Sequence, residues 1–131
     1  MDGINTLASA LGPRATMDRL EAAVRAKGLT VFARIDHAAG ALEAGLSLRP
    51  TELLIFGTAR SGTMLMQHNQ LVGIDLPLKA LVWQDAAGAT WLSYNDPHWI
   101  VARHGEGHVA PVTDEMATAL AALGQVATQA P

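Results

Sequence analysis

Val31-Phe32-Ala33-Arg34-Ile35-Asp36-His37-Ala38 reads as a strand that runs directly into a helix. Val, Phe and Ile suit a pleated, half-buried backbone, and successive strand side chains point to opposite faces. The alternation predicts Val31, Ala33 and Ile35 on one wholly apolar face, turned to a core. Phe32, Arg34 and Asp36 would share a mixed second face. After Asp36 the composition turns helical through Ala44, and Gly45 is placed to end the helix. Asp36 is a preferred N-cap, because its carboxylate accepts from the orphan N–H groups of the first turn. The same junction joins an acid to an imidazole at a strand end, where α/β proteins commonly hold ligands. An imidazole at His37 suits a general base, a hydrogen-bond donor or a metal ligand. The cap and the site readings of Asp36 are compatible.

Composition narrows the classes. The 131 residues suit one domain, and 50% hydrophobic against 16% charged residues describe a packed globular chain. A net charge of −3 does not suit nucleic acid or an anionic membrane. Aromatics at 5% leave little for base stacking. The chain has no Cys, which removes thiol catalysis, Cys-ligated zinc and disulfides. No signal peptide and no membrane-spanning apolar run is read, so a soluble, cytoplasmic protein is expected.

Working outward from the anchor, Ile4–Ala8 reads as a short first strand. Pro13 opens a helix that stops at Gly28, with Met17, Leu20 and Val24 on its apolar face. Glu52 to Gly57 is a near-continuous apolar run, expected to be a central strand buried on both faces. Thr58 to Thr63 reads as a polar loop before a short helical piece, Met64 to His68. Leu78–Gln84 and Thr90–Asn95, joined by Ala86-Ala87-Gly88, form the clearest hairpin. Asp96-Pro97 is a cap followed by an N1 proline, opening a helix to His104. Glu106 to Val112, with His108, reads as a flexible stretch. A final helix is expected over about 113–127, packed through Met116, Leu120 and Leu123.

Five histidines raise the question of a metal, but no His-x₃-His pair and no His-Glu-x-x-His occurs. No metal site is therefore assigned. Ser61 lacks the first Gly of a nucleophile elbow. Arg60-Ser61-Gly62-Thr63 does not have P-loop spacing.

Four segments together resemble the DUF302 family: Thr30 to Ala41, Leu48 to Gly57, Gly73 to Leu78, and Ser93 to Pro97. The resemblance runs from about residue 14 to residue 104. It implies an α+β fold, a compact two-layer sandwich of the TT1751-like type, with a mixed sheet and helices packed on it. It also implies a homodimer and a function that is not established. Asp36, His37, Phe56, Gly57, Asp75, Pro77 and Tyr94 match recurrent family positions. The expectation that follows is a single domain over residues 1–131 binding a small polar ligand through Asp36, His37, Asp75, Tyr94 and Arg60. The alternatives are an enzyme with His37 as general base beside Asp36, or a homodimeric interaction module with an apolar face of Met64, Met66 and Trp99. No cofactor is assigned.

Overall fold

The computed structural model describes residues 2–105 and 110–131. Five strands form one sheet: β1 (Ile4–Ser9), β2 (Thr30–Asp36), β3 (Thr51–Gly57), β4 (Leu78–Gln84) and β5 (Thr90–Asn95), in the order β1-β5-β4-β3-β2. The helices are α1 (Pro13–Ala26), α2 (His37–Glu43), α3 (Ala59–His68), α4 (Pro97–Arg103) and α5 (Ala110–Thr128). A 3-10 segment, Gln70–Asp75, links α3 to β4. The α+β two-layer architecture agrees with the sequence reading. The sheet, expected to be mixed, is antiparallel at every pairing. The mixed sheet that the resemblance implied is replaced by hairpins and antiparallel returns.

Local signals place the helix ends. Pro13 opens α1, and Gly28, at φ +77°, takes the left-handed turn that ends it. Asp36 caps α2 by accepting from Ala39 N at 2.9 Å. Asp96 caps α4 by accepting from His98 N at 2.9 Å. Thr58 accepts from Ser61 N, so α3 begins at Ala59 rather than after the loop expected there. The side-chain cap outweighs the loop-like composition of Arg60-Ser61-Gly62-Thr63. The last helix begins at Ala110, three residues before the expected start. The stretch around His108 lies outside the described residues.

The core lies between the sheet and the α1–α5 layer. Met17, Leu20 and Val24 of α1 and Leu120, Leu123 and Ala127 of α5 are buried against Leu54, Phe56, Val82 and Leu92. Burying such side chains contributes about 1.5–3 kcal/mol each.

Register divides the sheet into two faces. Val31 stands opposite Phe56, but Ala33 stands opposite Ile55, so the pairing shifts by one residue at Phe32. This bulge reverses the alternation. Val31 stays with the core, whereas Ala33 and Ile35 turn to the opposite face, and Arg34 turns to the helix layer. The three-residue apolar face expected of β2 is therefore split. Nor is β3 buried on both sides: Leu54 and Phe56 are enclosed, while Leu53 and Ile55 are only half-buried. The inserted residue decides the first correction, and the second follows from the α1–α5 layer covering the Leu54 and Phe56 side of β3.

The face away from the helices carries Ile35, Leu53, Ile55, Leu81, Trp83 and Trp91 in adjacent register positions. Trp83 and Trp91 stack at 6.2 Å. Polar groups on this face are paired within the chain. Trp83 Nε1 donates to Ser93 Oγ at 3.0 Å, and Ser93 Oγ bonds Thr6 Oγ1 at 2.9 Å. Trp91 Nε1 donates to Asp85 Oδ2 at 2.8 Å. That bond, with backbone N–H groups of the turn, holds the Asp85 carboxyl below its usual range. Lys79 Nζ is drawn to the carbonyls of Pro77 and Asp75.

Candidate functional site

At the end of β3 the chain leaves the sheet through Gly57 and Thr58 and enters α3, which leans toward α5. Between them is a cavity of about 390 Å³. Most of its wall comes from four elements. Phe56 and Gly57 end β3, Gly62 and Met66 lie on α3, Leu76-Pro77-Leu78 enters β4 through a cis Leu76–Pro77 bond, and Met116, Ala119 and Leu120 lie on α5. Phe32, re-aimed by the bulge and half exposed, joins Leu29 at one side. Small residues make the space: a Cβ on Gly62 would already touch Met66 and Leu76 at 3.7 and 3.8 Å. Polar groups are few: the hydroxyls of Thr58, Ser61 and Thr63, and the carboxylate of Glu115. The size lies in the range of small-molecule pockets, about 300–1,000 Å³.

The segment that walls the cavity is tied down from behind. Asp75 accepts from Arg103 Nη1 at 2.9 and 3.0 Å, and its Oδ2 lies 2.6 Å from His104 Nε2. Asn69 Nδ2 donates to the His104 carbonyl, while Asn69 Oδ1 caps the 3-10 segment through Leu71 N. The C-terminal turn of α4 thus clamps the Gln70–Asp75 segment. Asp75 has both carboxylate oxygens engaged and acts as a tie.

The five residues expected at one pocket are spread along the sheet. Asp36 stands opposite Glu52, whereas Leu78 stands opposite Phe56. Four residues of strand, roughly 13 Å, separate these levels. Asp36 and His37 therefore occupy one end, and Asp75 and Arg60 the other. Asp36 borders a smaller hollow of about 250 Å³ with Arg14 and Glu52, and His37 does not line it. Tyr94 is buried on the helix side of β5, near Gly124 of α5. Arg60 is exposed in the first turn of α3 and is not part of the cavity wall. Of the apolar set Met64, Met66 and Trp99, Met66 turns into the cavity, and Trp99 lies over Gly3. Among the described residues no group of three or more His, Asp or Glu is placed to hold a metal.

The sequence reading did not single out Met116, Ala119 or Glu115 as site residues. At helical spacing a cavity wall looks the same as core filler. Gly62 and Gly73 both lie close to Met66, a proximity that appears only in the folded chain.

The fold and the cavity define a small α+β sandwich with a mainly apolar recess at one end of its sheet. The chain matches the model of DUF302, a domain of unknown function, over residues 5–123, and it belongs to that family. Its fold is similar to the crystal structure of an uncharacterized conserved DUF302 protein from Bacillus stearothermophilus. The TM-score is 0.86 at 22% identity, covering 98% of this chain and all of that one. It is also 48% identical over 105 residues to a protein of Brucella suis named fluoride-specific ion channel FluC 1. The match takes 80% of this chain and 41% of that protein. A Brucella abortus protein of the same name matches at 48% over 39% of its length. The chain thus spans about two-fifths of the curated relatives it matches. Among its described residues no helix is long and apolar enough to cross a membrane.

Proposed function

We propose that this chain is a ligand-binding domain that takes a small, mainly apolar molecule in the recess between β3, α3 and α5. One observation carries the reading: a space of about 390 Å³ walled by Phe56, Met66, Leu76, Met116 and Leu120. The recess opens to solvent on one side, and apolar surface left facing water is unfavourable. A mainly apolar molecule seated there would take that surface out of water. The ligand differs from the small polar one expected at Asp36–His37, where the Asp36 carboxylate is committed to the cap. His37 is exposed and makes no hydrogen bond or ion pair among the described residues, so a general base there would lack an orienting partner. The relatives' name supports an accessory role, in which this domain binds a ligand and the remaining three-fifths of those proteins conduct the ion.

Nile red, a neutral dye that brightens in apolar surroundings, tests the recess. Saturable emission is expected with the unaltered chain and a loss of at least tenfold in affinity with Ala119→Trp, which fills the space. Equal emission from both proteins, with unchanged melting temperatures, would remove the reading.

A second observation supports a homodimer, formed through the open face of the sheet. Its apolar residues are contiguous, and its tryptophan N–H groups, Ser93 and Thr6 are satisfied internally. Covering it would leave these tryptophan, serine and threonine groups satisfied, which lowers the cost of drying that part of the face. Two sheets packed about 10 Å apart would bury it. Light scattering should then report twice the 13.8 kDa chain mass, falling to one chain in Trp83→Arg. A single-chain mass at every concentration would exclude this arrangement.

A further inference from the structure

We infer that the recess selects an apolar molecule with a positively charged nitrogen at its polar end, an amphipathic amine, over a carboxylate or phosphate of the same body. This deepens the cavity reading and rests on it. Among the described residues of the wall, Glu115 is the one ionisable side chain, and no Lys, Arg or His stands with it. Glu115 is exposed, which puts its charge at the mouth rather than in the dry interior. The neighbouring carboxylate, Asp114, pairs with His98 at 3.2 Å, whereas Glu115 has no ion pair or hydrogen bond among the described residues. The other polar groups of the wall are hydroxyls, which take either role. Thr58 Oγ1 is already accepting from Ser61 N. Arg60, the cation of the same helix turn, lies off the wall.

The charge pattern decides the head group. An ammonium at the mouth meets a carboxylate with no partner among the described residues, together with hydroxyl acceptors, and gains charge-assisted hydrogen bonds. A carboxylate or phosphate in the same position meets a like charge, with no cation among the described wall residues to offset it. Solvent screens an exposed charge, so the discrimination is modest, on the order of tenfold between amine and carboxylate.

The experiment is displacement of Nile red from the intact chain at neutral pH by decylamine, decanol and decanoate, whose bodies match. Decylamine is expected to displace at roughly tenfold lower concentration than decanoate, with decanol between. In Glu115→Gln the three should converge while decanol is unchanged. Decanoate binding as well as decylamine, or an amine preference that persists in Glu115→Gln, would overturn the inference and leave the recess intact as a site. If none of the three displaces the dye and Ala119→Trp does not weaken it, the recess reading itself falls, and the head-group preference with it.

Discussion

Replacing Phe56 by Ala is expected to lower the unfolding free energy by about 3–5 kcal/mol. The ring is fully buried and stands on β3 between Val31 and Leu78 of the flanking strands. It also forms part of the cavity wall, so its removal enlarges a space that the surrounding elements already fail to close. Backbone pairing on both sides holds β3 in place, which limits collapse into the hole. Urea unfolding should show a lower midpoint at an unchanged slope. Leu53→Ala on the opposite face of the same strand serves as the control. Leu53 is half-buried, and its loss should cost about 1 kcal/mol. A Phe56→Ala cost under 1 kcal/mol, or one equal to that of Leu53→Ala, would contradict the assignment of faces. Nile red binding should survive the substitution, because the recess widens while its mouth is untouched.

Arg34→Ala is expected to cost about 1–2 kcal/mol at neutral pH, after allowance for solvent screening. Arg34 sits at the edge of the helix layer because the bulge turns it there. Its guanidinium donates to Glu52 through Nε at 2.9 Å and Nη2 at 3.1 Å, and through Nη1 to Asp18 at 2.8 Å and Glu21 at 3.2 Å. The fork binds strand to helix: Glu52 lies on β3, and Asp18 and Glu21 lie on α1. Glu52 above all, against desolvation, raises the affinity of Arg34 for its proton, so the side chain stays charged throughout the accessible range. Removing it takes the shared cation from Asp18 and Glu52 and leaves Glu21 with Arg25. The pH dependence follows from Glu21, whose carboxyl is held below its ordinary value of 4.5 by Arg25 first and Arg34 second. A lowered folded pKa contributes stability that is present above the unfolded value and lost as pH falls through the folded one. The difference between the unaltered chain and Arg34→Ala should therefore be largest at neutral pH and shrink below about pH 4.5. Paired denaturant curves across that window measure it. A difference that grows on acidification would exclude the fork as its source.

Much of this protein was legible locally. Pro13 and Gly28 bracket α1, and the three- and four-residue recurrence of Met17, Leu20 and Val24 marks the face that is buried. Asp36 and Asp96 were readable as caps because a cap is satisfied within three residues of itself. The β4–β5 hairpin was readable because its partners are neighbours in sequence, and its alternation meets no insertion. Family membership was legible for a similar reason, since the matching segments are contiguous runs.

The candidate site was not legible to that degree. Asp36 and His37 stood out because they are polar and adjacent, but strand register sets them at the far end of the sheet from Asp75. His104 lies 29 residues from Asp75, and only the packing of α4 against the 3-10 segment makes them a pair. Met66, Ala119 and Leu120 carry no local mark that separates a cavity wall from a core. The bulge at Phe32 is invisible to an alternation argument, yet it decides which side chains of β2 face the helices, the solvent and the recess.

Sequence by itself determined the elements, their caps, the family and the exclusion of thiol chemistry, because each depends on residues a few positions apart or on simple count. Tertiary structure alone decided the antiparallel order of the strands, the open apolar face, the Arg34 fork and the recess. Those depend on register and on gaps between elements far apart in the chain, and a gap has no residue of its own to be read.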